Sequence, residues 1–145
     1  MPCQSLAPAS RLLRTPSLGS IDKGFSGSAS MALQLVWFKR DLRVKDHKPL
    51  QQALLRGPVL PLYVVEPDLW QQQDASERQW LFCRESLLDL RLALAELGQP
   101  LLVRSGDVLE VFERAHRQFG LEALWSHEET GNSWTYQRDQ RVALW

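Results

Sequence analysis

The chain has 145 residues, with 17 Lys plus Arg against 17 Asp plus Glu and a formal net charge of zero. That length holds one ordinary domain and not two, and the balanced charge disfavours strong nucleic-acid binding by this chain alone. Apolar residues make up 44% and charged ones 23%, a globular composition without the roughly 20-residue apolar run of a membrane span.

Cys3 and Cys83 are too few and too far apart for a disulfide framework or a metal cluster, which points to the cytoplasm or another reducing intracellular compartment. Residues 1–30 stand apart from the rest, with seven Ser, the basic residues Arg11, Arg14 and Lys23, and one acid, Asp22. They lack a secretory apolar core. Two readings fit them: an organellar transit-like peptide, or a disordered leader upstream of Met31. The domain proper is expected over residues 31–145.

From Leu33 the pattern alternates between strand and helix. Leu33–Phe38 is a short β-branched and aromatic run of buried-strand type. A charged loop leads to a helix with Pro49 near its start and Gly57 past its end. Val59–Val65 is a second strand, in which Pro61 is awkward because proline cannot donate to a ladder. A long helix opens on a Ser76/Gln79 capping box and stops at Gly98. Its stripe Trp80, Cys83, Leu87, Leu90, Leu94 and Leu97 is expected to face the core, which makes Cys83 a packing residue rather than a reactive thiol. Leu101–Arg104 is a third strand, Asp107 caps a helix ending at Gly120, Leu121–Ser126 is a fourth strand, and a further helix begins at Asn132. This alternation with short loops predicts parallel βαβ units and a doubly wound, Rossmann-like α/β sheet.

In such sheets ligands sit at the carboxyl ends of the strands. That selects the loops Lys39–Lys48, Glu66–Asp74, Ser105–Asp107 and His127–Asn132. The first carries five basic residues and two acids, suited to an anionic ligand tail, or else to local pairing of Asp41 with Arg43. Neither a GxGxxG nor a Walker A cradle follows the strand, which argues against an ordinary dinucleotide or NTP site. His127-Glu128-Glu129-Thr130-Gly131-Asn132 is a poor metal pattern but suits hydrogen bonding to a planar heteroaromatic ligand. His47 and His116 read as surface residues. Of the six tryptophans, Trp37, Trp80 and Trp125 fall on core positions, whereas Trp70 stands where it can stack on a ring.

The stretch Val36-Trp37-Phe38-Lys39-Arg40-Asp41-Leu42-Arg43-Val44-Lys45-Asp46 resembles the opening of the DNA photolyase/cryptochrome family. Leu60–Pro67, Gln99–Asp107 and Trp125–Asp139, with its Tyr136-Gln137-Arg138-Asp139 run, are similar to later parts of that family's amino-terminal domain. His47 departs from the Asn usual there. The resemblance implies sheet order 3-2-1-4 and an amino-terminal antenna domain, here ending before the family's last strand. It also implies an absent carboxy-terminal helical domain that binds FAD and, in photolyases, damaged DNA.

The activity so implied is that of a deoxyribodipyrimidine photolyase, a blue-light-driven carbon–carbon lyase, or of a photoreceptor, with this chain alone not catalytic. The antenna would be a deazaflavin or a folate. Arg40, Glu66, Glu128 and Asn132 are the residues the resemblance places near it, while Gln73 stands where folate binders have His. Two other classes stay open: a nucleotide-binding module of the universal-stress or electron-transfer-flavoprotein type, and a non-catalytic interaction domain.

Overall fold

The structure, a computed structural model, describes residues 32–145; the readings made for residues 1–30 lie outside the described residues. Nine elements follow in chain order: β1 (Leu33–Phe38), α1 (Lys48–Leu54), β2 (Val59–Val65), α2 (Pro67–Trp70), α3 (Glu77–Glu96), β3 (Leu102–Ser105), α4 (Val108–Phe119), β4 (Leu121–Trp125) and α5 (Ser133–Leu144). The four strands form one parallel sheet in the order β3-β2-β1-β4. The expected order and class are both present.

The period-two alternation of β1 divides the core. Leu35 and Trp37 point to the face covered by Val108, Val111, Phe112 and Ala115 of α4 and Val142 of α5. Val36 and Phe38 point to the other face, covered by Leu50 and Ala53 of α1 and Leu87, Leu90 and Leu94 of α3. Burial on both faces is why β1 and β2 read as continuous apolar runs rather than alternating ones. Each large side chain fully removed from water there contributes about 1.5–3 kcal/mol.

Pro61 is fully buried in β2, an internal strand. The hydrogen bonds explain how it fits. Gln34 N–H donates to Pro58 O and Gly106 N–H to Val65 O, so even-numbered residues of β2 face β1 and odd-numbered ones face β3. Pairing with β3 begins only at Leu62↔Leu102, so the donor that Pro61 lacks points where no strand awaits it.

The helix termini are locally encoded. Ser76 and Gln79 form the reciprocal capping box of α3, and Asp107 accepts from Leu109 and Glu110 N–H at the start of α4. Gly98 and Gly120, at φ +84° and +67°, take the left-handed turns that end those helices. The apolar stripe of α3 differs from expectation at its ends. Leu87, Leu90 and Leu94 are buried, but Leu97 is 69% exposed because it lies past the last helical residue, where Gly98 turns the chain away. A second apolar row, Leu81, Leu88 and Leu92, faces outward on the same helix. Among the described residues no helix is long and apolar enough to cross a membrane.

Candidate functional site

At the carboxyl ends of β1, β2 and β4, one arginine organises the polar groups. Arg138, on the inward face of α5 with Thr135 and Val142, is buried and lies over the ring of Trp37, 4.8 Å from its centroid. It donates to Glu66 at 2.7 Å, to Glu129 at 2.6 Å and to Asp139 at 2.9 Å. Lys39 adds a 2.9 Å pair with Asp139, and Arg40 a 2.8 Å pair with Glu129. Three bases thus face three acids. Burial pushes the Glu66 carboxyl up to about 7 against the pull of Arg138, so a proton on that oxygen is exchangeable near neutral pH.

Beside this network lies a pocket of about 460 Å³. Phe38, Leu42, Tyr63, Leu69, Trp70 and Phe82 supply apolar wall, while Arg40, Glu66, Asn132 and Arg138 supply polar edge. Trp70 packs edge-on against Trp80, 5.0 Å between centroids. Its buried indole N–H has no hydrogen-bond partner among the described residues. Tyr63 OH contacts Cys83 Sγ at 3.1 Å, and burial pushes that thiol up, consistent with a packing role.

Of the four sequence-derived site residues, Arg40, Glu66 and Asn132 meet in this pocket. Glu128 does not: it lines a separate groove of about 940 Å³ along β4, with Glu113 and Glu122. Its neighbour Glu129 is the carboxylate that reaches the pocket. Asn132 is also the N-cap of α5, accepting from Thr135 N–H, and its amide donates to Asp74. Arg138, Lys39, Glu129 and Asp139 were not among the candidates. Spacing carried a signal for one of them, because Thr135, Arg138 and Val142 fall at i, i+3 and i+7 on one helix face.

A second cluster corrects two readings. His47 is fully buried rather than at the surface, because it caps α1: its Nδ1 accepts from Leu50 N–H at 3.1 Å. Asp41 pairs not with Arg43 but with His47 Nε2 and His127 Nδ1, each at 2.5 Å; Arg43 instead donates to Asp46 O. One carboxylate and two imidazoles within 4.8 Å have the composition of a metal site. The cap opposes that use. An Nδ1 that accepts from a backbone N–H carries no proton, so the neutral ring holds its proton on Nε2, the nitrogen that would have to ligate. The cluster instead ties the first and fourth carboxyl-end loops together through Asp41.

A parallel sheet with a mixed aromatic and charged crevice over its carboxyl ends defines a doubly wound α/β domain, the class in which ligands sit at that edge. More particularly, the chain belongs to the DNA photolyase family, whose model matches residues 34–145. It is 35% identical over 117 residues to a cryptochrome DASH of Gloeobacter violaceus, covering 76% of this chain and 23% of the relative. It is 45% identical over 74 residues to a deoxyribodipyrimidine photo-lyase of Salmonella typhimurium, covering 50% of this chain and 16% of the relative. Among solved structures it is similar to an archaeal photolyase from Sulfolobus tokodaii, described with two FAD molecules and the implication of a novel light-harvesting cofactor. The match has a TM-score of 0.66 at 26% identity and covers 77% of this chain and 26% of that one. The chain therefore spans about a quarter or less of the length of these relatives.

Proposed function

We propose that this chain is the antenna-chromophore domain of a photolyase/cryptochrome flavoprotein, and that the pocket beside Arg138 takes a planar heteroaromatic chromophore, a deazaflavin or a folate. The observation that carries the reading is the unpartnered indole N–H of Trp70 in a wall of aromatic side chains. A buried donor without a partner costs about 1–3 kcal/mol, and a ring carbonyl in the pocket would satisfy it. The light-harvesting cofactor named for the Sulfolobus tokodaii photolyase supports the same reading.

The residues divide the work. Trp70 and Phe82 flank a ring and exclude water. Arg40, whose side chain is 65% exposed, offers charge-assisted bonds to an anionic tail, and Glu66 holds an exchangeable proton for a ring nitrogen or oxygen. Glu128, on the far groove, has no part. When bound, the chromophore would absorb light and pass excitation to FAD. In this proposal FAD and damaged DNA both engage the carboxy-terminal helical domain that the family resemblance implies, and this domain alone catalyses nothing. The missing phosphate cradle weighs against the universal-stress and electron-transfer-flavoprotein alternatives.

The test is a titration of the chain with a deazaflavin and with a reduced folate, read by quenching of tryptophan fluorescence. Saturable binding of one of them is expected. Trp70→Phe and Arg40→Ala should each weaken it by about tenfold to a hundredfold. Absence of binding to the unsubstituted chain up to about 1 mM overturns the proposal.

A further inference from the structure

The outward face of α3 carries an exposed apolar row. Leu81, Leu88 and Leu92 are 43%, 54% and 66% exposed, and at 100° per residue they fall within about 40° of one another, opposite the buried Leu87, Leu90 and Leu94. Their spacing of seven and four residues continues to Ala95. This is a heptad seam, with Leu81, Leu88 and Ala95 at d positions and Glu85 and Leu92 at a. Phe82, 71% exposed, flanks it.

The charges beside the seam are segregated by side. Arg84 and Arg91 occupy one flank, at g positions; Asp89 and Glu96 occupy the other, at e. All four are exposed, and none takes part in an ion pair among the described residues. Nor does their spacing let them pair within the helix, since no acid lies three or four residues from either arginine.

We propose that this face pairs with the same face of a second copy of the chain, the two α3 helices running parallel about a two-fold axis. In that arrangement each g position meets the e position five residues on in the partner helix. Arg84 meets Asp89 of the second copy and Arg91 meets its Glu96, and the two-fold axis makes each pair twice. The leucines stack across the seam. An antiparallel pairing centred on Leu88 brings the two arginine flanks together, with Arg84 beside Arg91 of the second copy, like charge against like. The flanking charges therefore favour a second copy of the chain, in parallel. Glu85, at an a position, meets its own copy across the seam, like charge against like, and this weakens the association and keeps it reversible.

Sedimentation equilibrium of the 145-residue chain tests this. A dimer with a dissociation constant of about 10–500 µM is expected for so short a seam. Leu88→Lys should abolish it. Arg84→Glu with Arg91→Glu should raise the constant about tenfold or more, and mixing that variant with one carrying Asp89→Lys and Glu96→Lys should restore association as a heterodimer. Direction is read by Leu81→Cys under mild oxidation. Parallel helices place the two introduced thiols side by side, whereas antiparallel ones hold them about 21 Å apart, and the unsubstituted chain gives the background from Cys3 and Cys83. These positions are exposed, so circular dichroism should show each variant folded. A chain that stays monomeric up to about 1 mM overturns the proposal and leaves the face to some other helix. A dimer indifferent to the charge reversals, or one that Leu81→Cys fails to cross-link, overturns it as well.

Discussion

Replacing Arg138 with Met keeps most of the side-chain volume over Trp37 and removes the cation that Glu66 and Glu129 share. Those carboxylates are 6% and 7% exposed, and breaking a buried pair by deleting one partner costs about 3–5 kcal/mol. The loss is unequal between them. Glu129 keeps Arg40 at 2.8 Å, whereas no other base pairs with Glu66 among the described residues. Glu66 can escape by taking up a proton, which gives the effect a pH signature. Its folded value of about 7 already exceeds the ordinary carboxyl value of 4.5. The folded state thus binds this proton more tightly, and stability from this group falls as pH rises from about 4.5 to 7. Without Arg138 the folded value climbs further and the decline continues into the alkaline range. The deficit of the variant should be about 2 kcal/mol larger at pH 8.5 than at pH 5.5, at about 1.36 kcal/mol per unit. Urea unfolding at the two pH values, with the slope m unchanged, measures it. Adding Glu66→Gln to Arg138→Met should recover most of the alkaline deficit. A loss below about 1 kcal/mol, or the same loss at both pH values, would refute the view that Arg138 is held there by buried charge.

Two further outcomes are expected. His47→Ala should cost about 2–4 kcal/mol in urea unfolding, from the lost cap of α1 and the cavity left behind, whereas His47→Asn, which caps equally well, should cost less than half as much. At Asp41, burial acts to raise the carboxyl, but hydrogen bonds from His47, His127 and Lys39 N–H outweigh it and hold the group well below the usual carboxylate range. Its contribution is complete above about pH 4 and is lost as pH falls further. Asp41→Asn should therefore flatten the acid limb of stability between about pH 4 and 2, where the unsubstituted chain loses up to about 1.4 kcal/mol per unit; an unchanged limb would place the acid sensitivity elsewhere.

Local chemistry made the architecture legible. Ser76, Asp107, Asn132, Gly98 and Gly120 stop and start helices through bonds made within a few residues of themselves, so a reader of the chain finds them. Strand bounds moved by a residue at β3 and β4. The site was less legible because its partners are remote in sequence: Arg138 meets Glu66 across 72 positions, and His127 meets Asp41 across 86. Glu128 and Glu129 show the limit most plainly. Two adjacent identical side chains on a loop have the same composition and charge, and only the path of that loop decides which one turns toward Arg138. His47 misled for a different reason: histidine is an infrequent N-cap, so a buried capping imidazole had no local signature.

The strand registers shape the crevice before any loop does. Phe38 of β1 is level with Tyr63 of β2, Val65 with Ser105 of β3, and Val36 with Trp125, the last residue of β4. The carboxyl edge of the sheet is therefore a ramp, dropping four residues, about 13 Å, from the tops of β2 and β3 to the top of β4. Glu66 follows the high strand β2, Glu129 follows the low strand β4, and Arg138 bonds to both. The depth of the hollow is thus written into backbone ladders, which are costly to slip because a one-residue shift turns every buried side chain of a strand outward. The loops above can exchange one polar contact for another without flattening the step beneath. Such a foundation keeps the hollow in place whatever polar groups the loops above it present.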